Sequence, residues 1–274
     1  MTKMYAYQSI AQSVSDHGID TMFGLMGDAN LFLVDSFVRD AGGRFVPAAH
    51  EGSSVLMALA YAHVSGKVGV ATVTHGPALT NCATALTEGV RGHLPIVVLA
   101  GDTPVENPRH LQSIDQRELV KATGAGFEQV RTPATASKDV ARAFYRAQVE
   151  RRPIVLNMPA DFMWTDVTHD TQVLDVFTTP GGVAQGGILD EAIGMIASAR
   201  RPIILAGGGA IAGKDQIVRL ADRLEAPLAT TLKAKGLFND HPFNMDIFGT
   251  LSTPAAYDLI AKSDCIVCFG TALH

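Results

Sequence analysis

The chain has 274 residues, enough for two α/β domains or one large one. It is 47% hydrophobic and 18% charged, with a net charge of −5 and scattered basic residues, so it lacks the basic patch of a nucleic-acid or anionic-membrane binder. No apolar run approaches the ~20 residues that span a bilayer, and the first residues have no signal-peptide apolar segment, so we expect a cytoplasmic protein.

Residues 5–157 alternate between segments with helical spacing of apolar residues and short apolar runs typical of strands. Helices are predicted at residues 5–17, 31–39, 51–64, 80–90 and 136–151, and strands at 21–25, 44–48, 68–74, 95–100, 128–130 and 153–157. The run at 68–74 is almost continuously apolar, as in a parallel strand that is buried on both faces. The alternation predicts an α/β domain with a doubly wound parallel sheet over residues 1–164.

Residues 165–187 are rich in Thr, Asp and Gly, and we predict a linker there. A second α/β pattern follows over residues 188–274. Its helices are predicted at 189–198, 214–224 and 253–261, and its strands at 202–206, 227–231 and 265–269. The sequence reaches His274 directly after an apolar strand, with no helix to cover it, so we expect an incomplete, Rossmann-like second domain.

Two short patterns are reminiscent of metal sites, but neither has the required geometry. Cys265 and Cys268 form a C-x-x-C within a predicted buried strand, where residues three apart face opposite sides and cannot hold one ion. His50 and Glu51 begin like the zinc motif H-E-x-x-H, but Ser54 replaces the second ligand. We therefore predict no metal site in this chain.

The segment from Gly207 to Lys214 approximates glycine-rich nucleotide-binding loops between a strand and a helix. Asp215 stands where such a phosphate-binding loop needs Ser or Thr for magnesium. We expect these glycines to form a tight turn. Anion binding at this helix N-terminus, and with it a nucleotide-binding module, is the alternative that the residues leave open.

Glu51 is a candidate functional carboxylate because it follows a predicted strand and opens an apolar helix. As a negative charge at the N-terminus of a helix, Glu51 would contribute well under about 1 kcal/mol to the stability of that helix. At the carboxyl edge of a parallel sheet, however, it would lie where α/β proteins bind ligands. Local sequence alone leaves both interpretations open.

Several ordered motifs carry a family resemblance. They are GLMGD at 24–28, AHEGSSVLMALAYA at 49–62, GKVGVATVT at 66–74, GPALTN at 76–81, LPIVVLAG at 94–101, LQSIDQ at 111–116, RPIILAGGG at 201–209 and KGLF at 235–238. In this order and spacing the chain resembles thiamine-diphosphate enzymes of the acetolactate synthase and 2-oxo acid decarboxylase superfamily. The resemblance runs from their pyrimidine-binding domain into part of their central domain.

The resemblance implies roles for individual residues. Glu51 would hydrogen bond the ring nitrogen of the cofactor's aminopyrimidine and thereby favour the imino form that activates the cofactor. Asp28 and His75 would transfer protons, although His75 could instead be a turn residue bonded to backbone. The remaining implied residues are Gly27, Gly76, Pro77 and Asn81 around the cofactor, and Leu111 and Gln112 in the substrate channel.

The same resemblance implies thiamine diphosphate with magnesium as cofactor and a homodimer or homotetramer as the assembly. The diphosphate and magnesium would be bound by a further domain with a G-D-G…N motif, which this sequence does not contain. FAD stays open as an additional cofactor, without support from any motif. No nucleic acid or membrane partner is expected.

The implied activity is decarboxylation or carboligation of a 2-oxo acid. Ala272 stands where acetolactate synthases have an arginine thought to hold a second oxo acid, and Leu111 replaces a usual phenylalanine. Decarboxylation is therefore expected to dominate in the complete enzyme, and the chain alone is expected to be inactive. The alternative is a short non-catalytic protein that pairs with or regulates a separate diphosphate-domain subunit.

Overall fold

A computed structural model describes residues 2–107, 109–176, 182 and 185–272. The chain divides into two compact units, Met1–Thr178 and Thr179–His274. The predicted domain limits at residues 164 and 188 stay predictions. Parts of the predicted linker, at 177–181 and 183–184, and the last two residues lie outside the described residues.

The first unit contains eight strands and seven helices among its described residues. The strands are β1 (Thr2–Tyr5), β2 (Thr21–Gly24), β3 (Arg44–Pro47), β4 (Gly69–Val73), β5 (Ile96–Asp102), β6 (Gly126–Gln129), β7 (Ile154–Pro159) and β8 (Asp166–His169). The helices are α1 (Ala6–Asp16), α2 (Leu31–Arg39), α3 (Glu51–Ser65), α4 (Pro77–Thr80), α5 (Ala83–Arg91), α6 (Gln116–Ala122) and α7 (Ala136–Glu150).

Six of these strands form a parallel sheet in the order β3-β2-β4-β5-β7-β6. One core cluster contains Val70 and Leu99, and a second contains the alternate residues Ala71 and Val98. Because neighbouring residues of a strand point to opposite faces, these two clusters cover the two faces of the sheet. The predicted doubly wound α/β fold is confirmed, and strand β4 is buried throughout its length.

The beginning of the predicted linker is a strand instead. Strand β8 pairs antiparallel with β1, in register from Thr2 opposite His169 to Tyr5 opposite Asp166. Only Val167 and His169 of β8 are buried, while Asp166 and Thr168 are exposed. A four-residue, mostly polar segment carries too little local signal to be distinguished from a loop, and its partner is more than 160 residues away.

The second unit has a four-stranded parallel sheet of its own. Its elements are α8 (Gly187–Ser198), β9 (Pro202–Ala206), α9 (Lys214–Leu224), β10 (Leu228–Thr230), β11 (Asn244–Ile247), α10 (Pro254–Lys262) and β12 (Cys265–Phe269), with strand order β11-β10-β9-β12. The prediction that β12 is buried is wrong, because Cys268 is exposed and Ile266 is 41% exposed. An apolar run predicts a strand, but it does not determine whether both faces are covered.

The glycine-rich segment of the second unit packs against its own backbone. A Cβ on Gly207 would lie 2.2 Å from the carbonyl oxygen of Gly270, and the Gly209 amide donates to the same oxygen at 3.1 Å. Lys214 Nζ is paired with Asp240 Oδ2 at 2.9 Å. These contacts explain why glycines occupy these positions, as expected if the segment forms a tight turn.

No helix in the described part of the chain is long and apolar enough to cross a membrane.

Candidate functional site

The predicted site residues follow the ends of three neighbouring strands. Gly27 and Asp28 follow β2, Glu51 follows β3, and His75 and Gly76 follow β4. Since these strands are parallel, their carboxyl ends share one edge of the sheet. The expected position of Glu51 at this edge, together with the two turns, is confirmed.

Glu51 begins helix α3 and is oriented by Asn81. Its half-buried carboxylate accepts a hydrogen bond through Oε2 from Asn81 Nδ2 at 2.9 Å. The preceding His50 caps the helix, because its Nδ1 accepts from the Gly52 amide at 3.1 Å. A Cβ on Gly52 would lie 2.8 Å from the Asn81 carbonyl oxygen, so glycine permits this close approach. Within the described residues Glu51 has no second side-chain hydrogen bond, and its carboxylate retains acceptor capacity for a ligand.

Asp28 and His75 meet where the turns after β2 and β4 pack together. The Thr74 hydroxyl donates to Asp28 Oδ1 at 3.0 Å, and His75 Nε2 lies 3.7 Å from the same oxygen. A Cβ on Gly27 would come within 2.7 Å of the Thr74 side chain, so glycine is needed for this packing. The Asp28 side chain is 74% exposed whereas that of His75 is 3% exposed. An accessible carboxylate therefore lies beside a buried imidazole.

Burial lowers the pKa of His75 below its ordinary value. The nearby Asp28 carboxylate opposes this shift, and His110 adds to it. The rings of His75 and His110 have centroids 5.4 Å apart, at an angle of 52°. Sequence analysis missed His110, although it immediately precedes the 111–116 motif, because nothing local to the sequence predicts that this loop folds back over the turn after β4.

Gln116 is a second residue that sequence analysis missed. Its buried side chain accepts from the Gly76 amide at 2.7 Å and donates to the Gly101 carbonyl at 3.0 Å and to Asn157 Oδ1. Asn157 in turn donates to Asp102 Oδ2 at 2.6 Å. The only sequence signal was the place of Gln116 as the last residue of the 111–116 motif. These bonds tie the turn at Gly76 to strands β5 and β7.

The turn at Gly76 accepts only glycine. Its φ is +57° and its ψ is −110°, and a Cβ would lie 1.9 Å from the Gln112 carbonyl oxygen. Pro77 begins helix α4 directly afterwards. Gln112 thus contacts the predicted cofactor turn through its backbone, while Leu111 is 91% exposed. A role of either residue in a substrate channel stays a prediction.

Cys82 lies buried beneath the Glu51 side of the site. Burial, with a smaller contribution from the Glu51 carboxylate, raises the pKa of this thiol to about 12. Its Sγ lies 3.5 Å from the Ala78 carbonyl oxygen. Cys82 is therefore an uncharged, unreactive core thiol. Among the described residues no group of three or more His, Cys, Asp or Glu side chains could hold a metal ion.

Two stretches of the chain match models of protein families. Residues 4–119 match the family described as "Thiamine pyrophosphate enzyme, N-terminal TPP binding domain". Residues 189–274 match the family described as "Thiamine pyrophosphate enzyme, central domain". The first of these matches contains Asp28, Glu51, His75 and Asn81.

Curated relatives with three different activities align with almost the whole chain. A sulfoacetaldehyde acetyltransferase of Rhodobacter capsulatus is 31% identical, over 99% of this chain and 46% of the relative. A probable 2-ketoarginine decarboxylase of Pseudomonas aeruginosa is 33% identical, over 98% and 49%. An acetolactate synthase of Mycobacterium bovis is 30% identical, over 96% and 44%. The chain spans about half the length of the curated relatives it matches.

Proposed function

The chain belongs to the thiamine pyrophosphate enzymes, and from that premise we propose that it provides the pyrimidine half of a site that decarboxylates a 2-oxo acid. The observation that carries this proposal is the pair of polar groups at one sheet edge. One is Glu51 with Asn81, and the other is Asp28 with Thr74 and His75. The first suits cofactor activation and the second suits proton transfer.

The residues around Glu51 fit the aminopyrimidine of thiamine diphosphate. When bound, this cofactor supplies a carbon nucleophile and an electron sink for decarboxylation. Asn81 orients the Glu51 carboxylate, whose remaining acceptor sites can hold a proton at a ring nitrogen. At Gly76 the absence of a side chain leaves room for the Gln112 carbonyl oxygen, and this contact fixes the turn before the short helix that leads to Asn81.

Asp28, Thr74 and His75 form a short path for a proton. Because its pKa is lowered, His75 is uncharged at neutral pH, so only one of its ring nitrogens carries a proton. In the tautomer with that proton on Nε2, the imidazole directs it toward Asp28 Oδ1. The Thr74 hydroxyl already donates to that oxygen, and the Asp28 carboxylate is open to solvent. This arrangement supports a role of these residues in delivering a proton to the reacting substrate.

Ala272 supports decarboxylation over condensation of two oxo acids. An arginine can bind a carboxylate with two parallel hydrogen bonds, and a methyl group cannot replace either one. We include in the proposal magnesium and the diphosphate site of a further domain, a homodimer or homotetramer, and a cytoplasmic location. The location is supported by the three free cysteines.

Product analysis of the whole protein tests this function. Purified protein with thiamine diphosphate and magnesium is given pyruvate, 2-oxoisovalerate and a 2-oxo acid with a cationic side chain. Aldehyde is the expected main product from the preferred acid, while acetolactate as the main product from pyruvate contradicts the proposal. Absence of turnover with every acid, while a separate diphosphate-domain subunit restores it, would favour the pairing or regulatory alternative.

A further inference from the structure

A chain of hydrogen bonds runs from a carboxylate at the end of β5 to the turn at Gly76. Asp102 Oδ2 accepts from Asn157 Nδ2 at 2.6 Å, and Asn157 Oδ1 accepts from Gln116 Nε2. Gln116 Oε1 in turn accepts from the Gly76 amide at 2.7 Å. Asn157 and Gln116 are 2% and 3% exposed, so their amide groups are shielded from water. The proposed function gives none of these three side chains a role.

The two ends of this chain leave only one orientation for the amides between them. An ionised carboxylate only accepts hydrogen bonds, so Asn157 must present its NH2 group to Asp102 and its oxygen to Gln116. Gln116 must then present its NH2 group to Asn157, and to the Gly101 carbonyl oxygen 3.0 Å away. Its own oxygen is left for the Gly76 amide, which can only donate. The Asp102 carboxylate thus sets the direction of the chain at one end.

Asp102 is itself held in place and lies near His75. Its other oxygen, Oδ1, accepts from the Thr103 amide at 2.8 Å, so both carboxylate oxygens have a donor. An asparagine at this position could accept only one of these two hydrogen bonds, because its NH2 group would face a second donor. The negative charge of Asp102 also opposes the lowering of the His75 pKa that burial causes. The same carboxylate therefore acts on the amide chain and on the imidazole.

The turn at the other end of the chain lies between the two polar groups of the candidate site. His75 immediately precedes Gly76 in the sequence. Helix α4 begins directly after Gly76 and leads to Asn81, which donates to Glu51 Oε2. Because Gly76 joins these two segments, a shift of its amide would move His75 on one side and Asn81 on the other.

We propose that the Asp102 carboxylate is a positioning group that fixes the turn at Gly76 through the two buried amides. It acts through other side chains and needs no contact with the substrate. Its consequence for catalysis rests on the proposed function, whereas the hydrogen-bond chain itself can be tested without turnover.

Exchanging the side chains at positions 102 and 157 tests the direction of the chain. Asp102→Asn loses one acceptor, so hydrogen exchange of the Gly76 amide, followed by NMR on the full chain, should become about threefold to tenfold faster. Asn157→Asp alone places two carboxylates against each other and should also speed exchange.

The double variant restores every link. The new amide at position 102 can accept from Thr103 and donate to the new carboxylate at position 157, which still accepts from Gln116. Exchange at Gly76 should therefore return to within about twofold of the wild-type rate. An unchanged rate in Asp102→Asn, or a double variant no better than either single variant, would overturn the proposal.

Asp161→Asn is the matched control. Asp161 is an exposed carboxylate just after β7 that accepts from the Val105 amide at 3.2 Å, and within the described residues it has no hydrogen bond to the amide chain. Its replacement should leave exchange at Gly76 unchanged, and faster exchange there would contradict the assignment to Asp102.

The consequence for catalysis is measured in the whole protein with thiamine diphosphate and magnesium. For the preferred 2-oxo acid, kcat should fall about tenfold or more in Asp102→Asn and recover in the double variant, with little change in KM. Full kcat in Asp102→Asn would remove its positioning role. If the wild-type protein makes no aldehyde, the proposed function fails, whereas the exchange rates still decide whether Asp102 fixes the turn.

Discussion

Replacement of Gln116 by leucine should destabilise the first unit by about 3–6 kcal/mol. The two side chains have similar volumes, so the change mainly removes hydrogen bonds. It leaves the Gly76 amide, the Gly101 carbonyl and Asn157 Oδ1 without their partner in a buried location. Each buried polar group left unpaired costs about 1–3 kcal/mol, and the estimate is the sum over these groups, reduced at its upper end for partial relaxation.

The sole tryptophan makes this unit measurable by itself. Trp164 belongs to the first unit and packs against Phe32 and Tyr7, with ring centroids 4.5 and 5.1 Å away. Its fluorescence during urea denaturation therefore reports the unfolding of that unit, and the free energy of unfolding follows from the midpoint and slope.

A second Gln→Leu variant tests whether the loss of stability comes from the buried hydrogen bonds of Gln116 or from the replacement of any glutamine. Gln172 is only partly buried and donates a single side-chain hydrogen bond among the described residues, to the exposed Asp170. Gln172→Leu should therefore change the free energy of unfolding by less than about 0.5 kcal/mol. If Gln116→Leu also changed it by less than about 1 kcal/mol, the conclusion that Gln116 holds the turn at Gly76 would be wrong.

Three further predictions concern the turn at Gly76, the carboxylate of Glu51 and the ion-paired end of helix α7. Gly76→Ala should destabilise the first unit by clearly more than Gly42→Ala, since both have positive φ but only the Cβ at Gly76 meets a neighbouring backbone; urea denaturation measures both. In the whole protein Glu51→Gln should lower kcat by orders of magnitude without changing the circular dichroism spectrum, because the amide cannot share a proton. Hydrogen bonding from Arg146 lowers the pKa of Glu150, so its stabilisation is complete above the ordinary glutamate pKa and is lost as pH falls through the lowered folded value. Glu150→Gln should accordingly cost up to about 1 kcal/mol at pH 7 and progressively less as the pH falls below the ordinary glutamate pKa, as measured by denaturation curves.

Each of these three predictions would be contradicted by a specific result. If Gly76→Ala and Gly42→Ala lowered the free energy of unfolding equally, the turn at Gly76 would have to accommodate a Cβ without strain against the Gln112 backbone. Near-normal turnover of Glu51→Gln would remove the proposed cofactor role. A cost of Glu150→Gln that is the same at pH 3 and pH 7 would show that the carboxylate is not stabilised by its arginine partners.

The sequence by itself determined which segments form the six strands of the parallel sheet and placed Glu51 directly after one of them. Segments 68–74, 95–100 and 153–157 are largely apolar runs separated by helical patterns, and such a local pattern is sufficient to predict buried parallel strands. Parallel strands share one carboxyl edge, so the expected location of Glu51, Asp28 and Gly76 followed from chain order alone. The family motifs then suggested what these residues do.

Only the tertiary structure decided which side chains meet. His110 lies beside His75, and Gln116 holds Gly76, because a loop after β5 folds over the turn after β4. Likewise β1 pairs with β8 across the length of the first unit. These contacts join segments that are distant in sequence, and their formation depends on loop paths that no local pattern encodes.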